Sequence, residues 1–188
     1  MKPIAVALAA ITLLTAGCTK TADPVAGGEK GVETDAEQRT IDIYAAIIRR
    51  LVTKDHTFGT GPSPFERVYV VDGVAADVGD RTAVTPATVE PFSPTVRAGI
   101  LAELRDLPPV EFVSDPASVV TGEKRCARVF GKGALITVGA ISGDGEKVSV
   151  PSDLFFSCLG ALRLNYVLER AAHGGWQVVG TKGPVVIS

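Results

Sequence analysis

Two histidines and three cysteines offer most of the chemistry in this chain, and only Asp55-His56 sets a carboxylate beside an imidazole. A carboxylate can orient an imidazole as a general base, so a surface hydrolase using His56, with Asp55 or a distant carboxylate as its partner, is one reading. Adjacent side chains rarely point the same way, however, and no nucleophile stands nearby. His56 is therefore also expected as a helix-terminal residue facing the last carbonyl groups. His173 adjoins Gly174-Gly175 and is expected at an exposed hairpin tip. Gly61-Pro62-Ser63-Pro64-Phe65 lacks the second glycine of a nucleophile elbow, and Thr181-Lys182-Gly183 inverts the first two residues of the Lys-Thr-Gly motif with no Ser-x-x-Lys beside it. Asp72, Asp77 and Asp80 lack the ligand alternation of a calcium loop and read as a solvated turn. No nucleotide loop, dinucleotide fingerprint or zinc-protease motif occurs, so neither a metal nor a cofactor is expected.

The elements around these residues begin with an address. Lys2 precedes an apolar run from Ile4 to Ala16, broken only by threonine. At about 1.5 Å per helical residue it reaches roughly 20 Å, short of a hydrocarbon layer of roughly 30 Å. Residues 1–17 thus read as an export signal rather than a permanent span. The run ends Leu14-Thr15-Ala16-Gly17-Cys18, which resembles the lipobox of bacterial prolipoproteins, with Thr15 where leucine is commonest. The resemblance implies that the Cys18 sulfur receives diacylglycerol and that Cys18 becomes the first mature residue. The other reading is an ordinary secretory signal with Cys18 as a spare thiol. Residues 18–33, rich in glycine and without an apolar period, are expected as a lipidated cysteine and flexible leash.

With Cys18 assigned to lipid, Cys126 and Cys158 remain, and an exported domain with two such residues is expected to join them in a disulfide. Neither has a His or second Cys at metal-ligand spacing. Lys2 is the only charged residue in the signal, so its removal takes the formal charge from −2 to −3. That weak acidity, with no concentrated basic stripe, argues against a nucleic-acid partner. The close cations, Arg49 with Arg50 and Lys124 with Arg125, read as solvated surface pairs.

Residues 34–188 suit one globular domain. Thr34-x-x-Glu37 has the form of a capping box, and Ile41, Tyr44, Ile48, Leu51 and Val52 follow at helical spacing, which predicts a helix over about 35–54. Ser93-Pro94 predicts the start of a second helix that Pro108-Pro109 stops near Leu107. Strands are expected at Arg67 to Val74, Val110 to Val113, Cys126 to Phe130, Ala134 to Ile141 and Lys147 to Val150, with a turn at Gly143-Asp144-Gly145. Leu162, Leu164, Tyr166 and Leu168 alternate with a mostly polar row, and Trp176 to Thr181 returns after the glycine turn as a partner strand. The expected fold class is α+β, a single domain with two helices packed on one face of a largely antiparallel sheet.

Asp55-His56-Thr57-Phe58-Gly59, Val68-Tyr69-Val70-Val71-Asp72-Gly73 and the ending from Gly180 to Ser188 resemble, in patches from about residue 40 onward, a family of exported actinobacterial lipoproteins. The resemblance implies export and a single-domain unit, and carries over no activity and no catalytic residue. The expected function is a non-catalytic binding or accessory module on the extracytoplasmic face of the cell membrane. Its partners would be membrane lipid through Cys18 and an envelope protein or peptide, with the His56 hydrolase as the alternative.

Overall fold

The computed structural model describes residues 28–58, 62–78, 89–122 and 126–187, with side chains from residue 34. The expected signal, Cys18, Asp80 and Lys124-Arg125 lie outside the described residues. In chain order the elements are α1 (Gly28–Thr53), β1 (Arg67–Ala75), β2 (Val89–Glu90), α2 (Pro94–Glu103), β3 (Val110–Val113), β4 (Val120–Thr121), β5 (Arg128–Val129), β6 (Gly133–Gly139), β7 (Lys147–Ser157), β8 (Gly160–Arg170), β9 (Trp176–Thr181) and β10 (Val186–Ile187).

The apolar stripe on α1 does what its spacing requires: Ile41, Tyr44, Ile47, Ile48, Leu51 and Val52 are all buried. The helix nevertheless begins at Gly28, inside the stretch expected as a leash, and this changes the role of Glu37. Backbone N–H groups already inside a running helix need no cap, so Glu37 reaches sideways and its carboxylate accepts from the Ser93 hydroxyl at 2.8 Å. Ser93 in turn accepts from the Val96 N–H at 3.1 Å and caps α2, with Pro94 at its first position. That helix ends at Glu103, short of the expected Leu107, and a loose turn leads to Pro108-Pro109.

Both helices lie on one face of a mixed sheet whose main order is β10-β8-β7-β6-β1-β2, the α+β arrangement expected. Parallel pairing is confined to β1, which runs parallel to β3 on one side and β6 on the other; the remaining pairs are antiparallel. Leu162, Leu164, Tyr166 and Leu168 point inward as their alternation requires, joined by Val148, Val150 and Leu154 from β7. The opposite face carries a smaller cluster of Tyr69, Val71, Val113, Val129 and Leu135, partly covered by Val119 and Val120.

Strand β7 runs far past its expected end at Val150. Pro151 ordinarily argues against a central strand, but here it lies one residue beyond the last pair with β6, Val138 opposite Ser152, where a missing N–H is tolerated. Two close approaches depend on glycine. A Cβ at Gly99 would come 2.3 Å from Ile41 Cδ1, so its absence lets α2 seat on α1. One at Gly160 would lie 1.8 Å from the Phe156 ring, which occupies that space. Cys126 and Cys158 are disulfide-bonded, tying the segment before β5 to the turn between β7 and β8.

Candidate functional site

Asp55 and His56 follow α1 directly, and the structure sends them to different places. The last turn of α1 closes on itself: the N–H groups of Lys54 and Asp55 both donate to the Arg50 carbonyl at 3.0 Å. The Arg50 carbonyl is therefore already taken, and no imidazole nitrogen faces the helix-end carbonyls as expected. Asp55 folds back instead. One of its carboxylate oxygens accepts from Arg50 Nε at 2.7 Å and from the Tyr166 hydroxyl at 2.9 Å, fastening the end of α1 to the middle of β8. Burial, followed by the Asp55 charge and this hydrogen bond, pushes the Tyr166 phenol well above its ordinary range.

His56 is 5% exposed and its ring packs against Phe58 and Phe65, with centroids 6.2 Å away in both cases, and Phe156 lies behind these two. The three phenylalanines also contact one another, Phe58 and Phe156 at 4.5 Å. Neither imidazole nitrogen has a hydrogen-bond partner among the described residues. The carboxylate beside His56 in sequence is thus engaged elsewhere, and an aromatic shell separates the ring from solvent. Packed in this way, the imidazole has no carboxylate to orient it among the described residues.

A buried polar ring without partners costs about 1–3 kcal/mol relative to an apolar group of similar shape. We expect His56→Leu to leave the urea midpoint unchanged or raise it, by up to about 1 kcal/mol in stability. A loss of more than 2 kcal/mol would mean that the imidazole holds a contact essential to the fold.

The cationic pair Arg49-Arg50 is not the solvated pair expected. Arg49 bonds to the Asp106 carboxylate and the Glu103 carbonyl, clasping the ends of both helices, while Arg50 holds Asp55. Beside them a groove of about 470 Å³ follows the outer face of α1, lined by Asp42, Ala46, Lys54, Trp176 and Gln177 among others. The Arg39 guanidinium lies 5.3 Å from the centre of the Trp176 ring. No spacing in the sequence brings Trp176 to α1, because that meeting requires β9 to be folded against β8 first.

Asp72 is neutralised by Arg97 of α2 at 2.8 Å rather than sitting in a solvated turn. No group of three His, Cys, Asp or Glu side chains gathers to hold a metal ion among the described residues. His173 is exposed at the turn before β9, as expected. Lys182 donates its backbone N–H to the Asn165 carbonyl and serves the β8 edge. None of the described helices is long and apolar enough to cross a membrane. Comparison with protein-family models, with curated proteins and with solved structures finds no match to this chain.

Proposed function

We propose that this chain is an exported lipoprotein, anchored through Cys18 to the outward face of the cell membrane, whose α+β domain acts as a non-catalytic binding or accessory module of the envelope. One observation carries the reading. The two cysteines left after Cys18 is assigned to lipid are bonded to each other, so every cysteine has a use in an oxidising compartment. The likeness of Leu14 to Cys18 to a lipobox, and of the later patches to exported actinobacterial proteins, supports the same address. A non-catalytic role is supported by Asp55, which is spent on Arg50 and Tyr166, and by the shell around His56.

Two acyl chains, each buried methylene contributing about 0.8 kcal/mol, would hold such a domain at the bilayer. Intact mass of the native protein should show loss of residues 1–17 and a gain matching diacylglycerol. Detergent phase separation should recover the native chain in the detergent phase and Cys18→Ser in the aqueous phase. An unmodified polypeptide, or equal partitioning of the two, rejects the proposal. The competing surface hydrolase is favoured by one observation, the unpartnered imidazole of His56. Turnover on a substrate panel that vanishes in a folded His56→Ala variant would establish it.

A further inference from the structure

One end of the sheet is apolar and carries a cation, Arg128, with no ion pair among the described residues. Arg67 opposite Gly133 and Ser157 opposite Gly160 place the starts of β1 and β6 and the β7–β8 turn at this one end. The contacts of Phe58 with Phe65 and Phe156 bring the end of α1 to the same place. Three large apolar side chains project there into solvent: Leu159 at the tip of the turn is 85% exposed, Phe130 66% and Phe58 53%. From Leu154 to Leu162 the turn carries no charged residue. Beside it Arg128, which lies opposite Ser157, has no ion-pair partner among the described residues, whereas Glu66 is neutralised by Lys132 and Arg67 by Glu111. The surplus at this end is positive, on a chain whose overall charge is negative.

We propose that this end is a second membrane contact, in which Leu159, Phe130 and Phe58 enter the headgroup region of an anionic bilayer while Arg128 meets its lipid phosphates. The proposal rests on the lipid anchor proposed above. Apolar side chains that insert and cations that remain at the surface are what an anionic interface selects. The anchor makes even a weak contact effective, because it holds the domain at high local concentration beside the bilayer. The reach is sufficient. Gly28 to Thr53, at about 1.5 Å per residue, measures roughly 39 Å. The ten residues from Cys18 to the helix extend to at most roughly 36 Å. With α1 inclined to the bilayer, anchor and tip touch it together.

The chain has a single tryptophan, Trp176, which pairs with Arg170 at the far end of β8, roughly 33 Å from Gly160. It supplies the internal control. Lipid-bearing native protein and a Leu159→Trp, Trp176→Phe variant are placed in vesicles of phosphatidylglycerol and phosphatidylcholine with brominated acyl chains, and their fluorescence is compared with that in unbrominated vesicles. Tryptophan at position 159 should lose more than half its emission, and Trp176 in the native chain should lose less than a fifth. Replacing phosphatidylglycerol by uncharged lipid should reduce the loss at position 159 at least threefold. Protein that floats with the vesicles but shows equal quenching at the two positions overturns the second contact alone and leaves the apolar end for a protein partner. Quenching at 159 that ignores lipid charge overturns the anionic assignment. Protein that does not float with the vesicles overturns this contact and the anchor together.

Discussion

Replacing Cys126 and Cys158 together by serine is expected to lower the stability of the domain by about 3.7 kcal/mol, read as a fall in the urea midpoint against the oxidised native chain. The figure follows from the chain entropy released when a loop between residues 32 positions apart is no longer closed in the unfolded state. The local structure indicates where the loss is felt first. Among the described residues β5 pairs with β7 at one position, Arg128 opposite Ser157, and β4 pairs only with β5. Val120 and Val129 of these two short strands, with Val119 before them, help to cover Tyr69, Val71 and Leu135 on the face of the sheet away from the helices. Without the covalent tie this cover has few other attachments. Amide exchange in 116–122 and 126–132 should therefore accelerate well before that of β1 and β6. A double variant within 1 kcal/mol of the native chain would show that the bridge contributes little to the fold.

Alkaline solution should destabilise the domain steeply. Tyr44 is buried with its hydroxyl on the Gly139 carbonyl at 3.1 Å, and burial, then the nearby Glu90 charge, drives its phenol far above the ordinary value. Tyr166 is raised by its own burial and then by Asp55. In the unfolded chain both phenols ionise near pH 10, while in the folded chain both retain their protons well beyond it. A raised folded-state pKa contributes its full stability below pH about 10 and loses it as the pH climbs above that value. Each tyrosine should therefore remove about 1.4 kcal/mol per pH unit, and the pair about 2.7 kcal/mol. Urea midpoints measured from pH 8 to 11.5 should be flat and then fall. Tyr166→Phe should halve the slope, and adding Tyr44→Phe should leave only what other groups contribute. A slope unchanged in the double variant would exclude these two phenols as its source.

Much of this architecture was legible in the order of residues, for reasons that differ between elements. The α1 stripe and the β8 alternation are local periodicities, and a period needs no knowledge of the partner surface to be read. The bond between Cys126 and Cys158 was readable by elimination, since reading Cys18 as the site of a proposed lipid leaves a single pair of the three cysteines. What escaped notice depends on distant neighbours. The strand expected over Lys147 to Val150 runs on through Pro151, because what a proline does there is decided by where β6 stops. Glu37 looked like a cap because the helical run from Gly28 has no apolar period to announce it. Asp55 was weighed against His56, its neighbour in sequence, when its partners are Arg50 one turn back and Tyr166 in another strand. Likewise Phe58, Phe130 and Leu159 are isolated apolar residues in three separate loops, and only the closed sheet collects them at one end.

The parallel embrace of β1 by β3 and β6 also bears on how the chain is made. No crossover can seat β6 beside β1 until residues 133–139 have been synthesised, because Arg67 must find Gly133 and Ala75 must find Gly139. A central ladder of such long sequence separation closes slowly, since the entropy of ordering the intervening loop is lost before any contact repays it. Under the proposed export route the chain would pass through a membrane pore as an unfolded thread, and there the delay would be useful: the ribosome could deliver most of the chain to the export machinery before the sheet has a middle around which to close.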